Sequence, residues 1–203
     1  MLEGEKMATN VVDLSCRNCG APVSIDTTVC KYCQSPVSIS TFNSVSGMAL
    51  PLVNKYLSSY RRDLSSNPND IGANKATAYC YLKLKMYDNA LSCFEKAVVD
   101  NFDDSETYFY AAICCLKGKK AFLTLRSEIN KIEEFLNAAT MIEPKGIYYY
   151  FWAYIKYDYF KRKFLQTTPD YMQMLEMAKQ YQVSEYDVSQ LFSILNVDNP
   201  FNG

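Results

Sequence analysis

The sequence predicts a mainly α fold of antiparallel helical hairpins preceded by a small cysteine-rich β unit, and three observations predict it. In residues 73–101, small and aromatic side chains recur in the order that lets one helix fold back on the next: Ala78 with Tyr81, then Ala90, Phe94 and Ala97. Alanines admit a close approach of the two backbones, and the rings fill the space left between them. Two C-x-x-C pairs stand ahead of residue 43. Beyond it, helix is the only periodicity present.

Composition bounds the function classes. The 203 residues are 49% hydrophobic, enough to bury a sizeable core in one domain with a small appendage. No stretch approaches the roughly 18 unbroken apolar residues of a transmembrane helix, so no membrane span is expected. Residues 1–11 read as a disordered leader or vector residues, because Glu3 and Glu5 stand where a secretion signal needs an apolar run. Cytoplasmic location with reduced thiols is the expectation that follows. Residues 1–42 hold three basic and four acidic residues, which leaves 18 of each sign beyond them. Nucleic-acid binding draws most of its affinity from phosphate neutralisation, so this balance argues against it. Histidine is absent. That removes the commonest general base and every Ser-His or Cys-His pair, and no enzyme activity is expected.

The first element, residues 12–42, is organised by Cys16, Cys19, Cys30 and Cys33, two C-x-x-C knuckles with ten residues between them, Pro22 and Asp26 included. A two-residue gap lets both sulfurs of a knuckle reach one metal while amides of the tight turn donate to them, and Gly20 supplies the permissive residue after the first knuckle. Val23-Ser24-Ile25 and Pro36-Val37-Ser38-Ile39 alternate apolar and polar, as short strands do. The stretch from Leu14 to Ser40 resembles the zinc ribbon in its compact form. That resemblance implies a structural Zn2+ on the four cysteines; so small a unit has no core without its metal, and zinc there is folding free energy. A disulfide pair suits neither a reducing compartment nor a doubled knuckle, and a redox C-x-x-C would need a βαβ context that is missing. Four thiolates do not by themselves separate zinc from a rubredoxin-like iron. With four protein ligands, no position is open for catalysis.

Serine-rich residues 35–47 lead into the helical domain, residues 43–203. From Pro51 to Ser66, Leu52, Val53, Tyr56, Leu57, Tyr60 and Leu64 fall on one side at helical intervals, and Asn67-Pro68-Asn69-Asp70 ends that helix. Lys85-Met86-Tyr87-Asp88 is the turn of the hairpin that follows. Ala78-x-x-Tyr81 and Ala90-x-x-x-Phe94 resemble the tetratricopeptide repeat (TPR), whose two helices carry those residues at that spacing. The resemblance implies a short TPR-like α-solenoid, with residues 51–66 as the second helix of an incomplete unit. One step of about 34 residues on, Ser105 is expected to cap the next helix, with Glu106 facing the positive end of its dipole. Lys117-Gly118-Lys119-Lys120 is a turn, and the partner helix, Phe122 to Ile142, implies an insertion of roughly eight residues relative to the family unit. Pro144-Lys145-Gly146 precedes an aromatic helix from Ile147 to Phe160. Thr168-Pro169-Asp170 reads as a cap with proline in the first turn, and Ser184-x-x-Asp187 opens the last helix.

The family's groove-facing spacing, carried onto this chain, selects Lys75, Tyr79, Leu82 and Lys83, then Phe109, Ile113, Leu116 and Lys117, then Phe151, Ile155 and Tyr159. Such a groove implies a protein or peptide partner. The competing reading is that the chain's own last helix, Asp187 to Val197, folds into it. Lys75 lacks the asparagine companion of the carboxylate clamp, Tyr79 standing in its place. Cys80, Cys93, Cys114 and Cys115 sit among apolar neighbours and read as small hydrophobes. Lys161-Arg162-Lys163 reads as the solvated end of a helix, with an RNA or anionic-lipid contact as the sharper alternative. The expected function is a non-enzymatic adaptor or scaffold, its ribbon capping the first helix through Val37, Ile39 and Phe42 or offering a second contact surface. The alternative is a nucleic-acid-associated accessory protein using the ribbon as its contact module.

Overall fold

In a computed structural model, which describes residues 15–23, 27–99 and 101–201, the chain after residue 42 forms α1 (Asn43–Ser46), α2 (Leu50–Ser66), α3 (Ile71–Lys83), α4 (Tyr87–Val99), α5 (Ser105–Cys115), α6 (Arg126–Ile142), α7 (Gly146–Ile155), α8 (Tyr171–Gln180) and α9 (Glu185–Leu195). Each helix from α2 to α7 packs on the next in sequence, and α9 returns onto α7. Connections of a few residues, such as that from Lys83 to Tyr87, allow this only if neighbours run antiparallel.

Two kinds of helix alternate. On α2, α4 and α6 the buried residues form one stripe: Val53, Tyr56, Leu57 and Tyr60; Ala90, Leu91, Phe94 and Ala97; Ile129, Ile132, Leu136 and Ala139. These are outer helices, wet on the opposite face. By contrast α3 is buried continuously from Ala76 to Leu82 and α5 from Phe109 to Cys115, so each is covered on more than one side. Where the layers meet, Tyr79 stands edge-on to Phe94 and to Tyr110 at centroid distances of 5.4 and 5.3 Å.

The caps follow local chemistry, with two corrections. The Asp70 carboxylate accepts the Ala73 amide at 2.7 Å and starts α3. At α5 the cap is Asp104, which accepts from the Thr107 amide and hydroxyl. Ser105 lies inside the turn, its hydroxyl donating to Glu143 at 2.9 Å. At α8 the cap is Asp170, paired reciprocally with Gln173, and Pro169 precedes the helix instead of entering it. Ser184 caps α9 as expected, accepting the Asp187 amide at 3.1 Å. The helix expected from Phe122 to Ile142 is shorter: α6 begins at Arg126, and Ala121–Leu123 makes a separate 3-10 turn. Gly118 is required before it, since its φ is +69° and an added Cβ would lie 3.0 Å from the Tyr87 ring. Beyond Ile155 the aromatic helix continues as a π turn over Lys156–Phe160, and a 3-10 turn over Lys161–Lys163 follows.

The N-terminal unit departs from the expected β ribbon. Among the described residues there is no strand, only the isolated antiparallel bridges Ser15 to Pro22 and Val29 to Pro36. Each knuckle closes on itself, Cys16 N–H donating to Ala21 O at 2.8 Å and Cys30 N–H to Ser35 O at 2.9 Å. The Ile39 amide, which a strand would have paired, donates instead to the Tyr60 hydroxyl at 2.8 Å. Ser24 and Ile25 of the other expected strand lie outside the described residues, as does the whole of residues 1–11. No described helix is long and apolar enough to cross a membrane.

Candidate metal centre

Four sulfurs gather at the N-terminus. The Sγ atoms of Cys16, Cys19, Cys30 and Cys33 all lie within 4.8 Å of one another. Cys16 to Cys33 is 3.6 Å and Cys19 to Cys30 is 3.7 Å. A tetrahedron with arms of about 2.3 Å has edges of about 3.8 Å, whereas a disulfide needs about 2.05 Å. The distances therefore fit one four-coordinate ion and no cross-link.

The electrostatics fit as well. Cys33 is lowered to about 6, first by the Ser35 backbone amide and then by the Ser35 hydroxyl and the neighbouring sulfurs. Cys19 also receives an amide, that of Ala21, yet desolvation and the other three sulfurs raise it to about 11. Four thiolates this close repel one another unless a cation stands among them. Any of zinc, iron or a comparable soft divalent ion meets that need.

The cysteine unit is docked along α2. The Arg17 guanidinium donates to Ser59 Oγ at 2.6 Å, pairs with Asp63 at 2.7 Å and lies 4.1 Å above the Tyr60 ring. Lys55 donates to the Asn18 carbonyl, and the Tyr56 hydroxyl to that of Pro36. Of the three expected docking residues, Ile39 and Phe42 are buried and Val37 is half-buried. Arg17, Asn18 and Lys55 were missed by sequence reasoning. An arginine inside a knuckle was the available signal, with Tyr56 and Tyr60 one helical turn apart to receive it.

The residues selected as a groove come together, but under cover. Tyr79, Leu82, Phe109, Ile113, Leu116, Phe151, Ile155 and Tyr159 are all buried in one cluster. Leu191, Phe192 and Leu195 of α9 belong to that cluster, as do Phe42 and Val45 at α1. Phe192 stands edge-on to Tyr154 at 5.4 Å, and the Tyr87 hydroxyl donates to the Ile194 carbonyl at 3.0 Å. The lysines are occupied too: Lys75 pairs with Asp104, Lys117 with Asp88, and Lys83 donates to the Ser46 carbonyl. A cleft of about 340 Å³ remains beside α9, where Glu106, Tyr110 and Tyr148 face Asp187 and Gln190.

The helix cysteines are packing groups. Burial pushes Cys80 and Cys115 up to about 12, and raises Cys93 and Cys114. A thiol shifted that way is a poor nucleophile at neutral pH. Comparison of the chain with protein-family models, curated proteins and solved structures gives no match.

Proposed function

We propose that this chain is a non-catalytic, cytoplasmic adaptor: a structural zinc site of ribbon type capping a short TPR-like array that binds an amphipathic helix of a protein partner. The repeat reading is supported by the step from Ile71 to Ser105, the starts of α3 and α5, which is 34 residues, the length of the family's unit at about 34. Zinc is favoured over iron because it is the usual ion for two such knuckles in a structural role.

The observation that carries the binding role is α9. Val188, Leu191, Phe192 and Leu195 fall at i, i+3, i+4 and i+7, and the last three are buried against the face lined by α3, α5 and α7. That face accommodates one amphipathic helix, the chain's own, which is the helix-in-groove mode of recognition. A partner helix with the same spacing would take the same seat. It must first compete with α9, whose tether gives it an effective concentration of about a millimolar.

The test uses a labelled peptide of residues 184–198 and the full chain. Phe192→Asp puts a charge in the seat of α9 and frees the face. The peptide should bind that variant at least roughly tenfold more tightly than the parent chain, by the tether's effective concentration. A variant with parental helix content that binds the peptide no better removes the groove from the reading.

A further inference from the structure

The edge of the molecule opposite in kind to the covered groove is formed by two short segments, 119–127 and 159–169. They hold Lys119, Lys120, Arg126, Lys161, Arg162 and Lys163 and no acidic residue. The structure interlocks them. The Phe122 amide donates to Asp158 at 2.8 Å, the Arg162 guanidinium lies 4.6 Å above the Phe122 ring, and that of Arg126 lies 4.7 Å above Phe160. Asp158, beside the second segment, is buried and paired with Arg162, while Glu128 and Asp170 follow the two segments and Asp198 shares a cleft with Lys119 and Lys120.

Large apolar side chains project from the same edge. Phe164 is 95% exposed, Leu125 72%, Leu123 70% and Leu165 45%. Phe164 sits in left-handed backbone at φ +58°, a conformation seldom adopted by a bulky residue. Scattered exposed leucines need no explanation, but a phenylalanine and three leucines on two segments joined by the Phe122–Asp158 and Arg126–Phe160 contacts are the kind of exposure that marks a contact surface.

We propose that this edge is a docking surface for an anionic lipid bilayer. Apolar side chains on short turns reach the boundary between headgroups and acyl chains, while long basic side chains around them lie at the level of the anionic headgroups. RNA would meet the same charge, but its bases stack on flat rings, and three of the four exposed apolar residues are leucines. The surface adjoins the C-terminal end of α9, where Lys119, Lys120 and Leu123 share a cleft with Phe192 and Asn196.

Sedimentation of the full chain with vesicles tests this, using phosphatidylcholine alone and phosphatidylcholine containing phosphatidylserine. The chain should sediment with the second and stay in solution with the first. Lys120→Glu and Lys161→Glu should each weaken partition by at least roughly fivefold, the effect expected for one charge at such a surface. Phe164→Ser with Leu123→Ser should weaken it further at raised salt, where the apolar contribution remains. Lys96→Glu, an exposed lysine on α4, should change nothing. Absence of sedimentation with the serine lipid overturns the proposal, as does equal loss in Lys96→Glu. Binding of labelled polyuridylate that is lost in Lys120→Glu, without vesicle binding, assigns the edge to nucleic acid instead.

Discussion

The cysteine unit and the helices it rests on are held together by different means. Around the knuckles the described residues offer almost no apolar interior: Cys16 and Cys30 are buried, while Val29 and Tyr32 are 48% and 63% exposed. Behind them, Phe94, Tyr79 and Ile113 are wholly enclosed in a continuous core. On the proposed reading, order in the first region is conditional on an ion, whereas order in the second is distributed over many side chains. The difference teaches that one chain can carry a part that responds to its surroundings and a part that does not.

Removing the ion is the most severe way to break that comparison. Chelation, or Cys30→Ser, should abolish amide protection across residues 15–23 and 27–38, since structural zinc in small units supplies about 10–16 kcal/mol of apparent binding free energy. The far-UV signal of α2 to α9 should persist. Hydrogen exchange read residue by residue checks both. If protection vanished from α4 and α6 in the same step, the two regions would be one cooperative unit and the contrast would be lost.

Next in size is a change inside the core. Phe94→Ala removes a ring at 0% exposure that stacks on Tyr110 at 6.2 Å and meets Tyr79 edge-on. Such truncations cost about 3–5 kcal/mol. Urea unfolding followed at the helices should register the loss, while metal binding by the knuckles remains at parental affinity so long as the body is folded. A loss below about 1 kcal/mol would mean that the site collapses onto neighbouring rings.

Phe94 also shows how much could be read beforehand. Its spacing from Ala90 and Ala97 placed it in a helical hairpin, because close packing demands small residues opposite rings, and that demand is local. The clustering of the four cysteines was legible for the same reason, two residues between sulfurs being a local geometric requirement. What escaped was part of what is decided between distant segments. Ile39 alternates with Val37 as a strand would, yet its amide is taken by Tyr60 on α2. Tyr79, Phe109 and Phe151 have the composition of either a groove or a core, and the return of α9 together with Phe42 and Val45 at α1 makes them core. Asp104 and Ser105 both have cap chemistry. Asp104 caps because Ser105 is drawn to Glu143 and Tyr148.

The smallest effect concerns charge, and it carries the contrast into the helical body. The knuckle sulfurs can share a cation at their centre, but among the described residues no ion pair holds Glu106: burial raises its carboxyl above the ordinary 4.5, opposed in part by Lys75. Its neighbour Asp104 is also pushed up by burial, yet hydrogen bonds from Lys75 and Thr107 and the lysine's charge outweigh this, and it ends below 3.8. The two act on stability in opposite directions. Asp104 contributes fully above about pH 3.8 and loses that contribution as pH falls through its lowered folded value. Glu106, half-buried, subtracts from stability while ionised, and the penalty is relieved as pH falls through its raised folded value toward 4.5. Glu106→Gln should therefore raise the urea midpoint slightly at pH 7 and flatten its dependence between pH 7 and 4.5, leaving the loss at lower pH in place. Parallel curves for the variant and the parent over that interval would show that Lys75 neutralises both carboxylates, and that the body manages its buried charge as fully as the knuckles do.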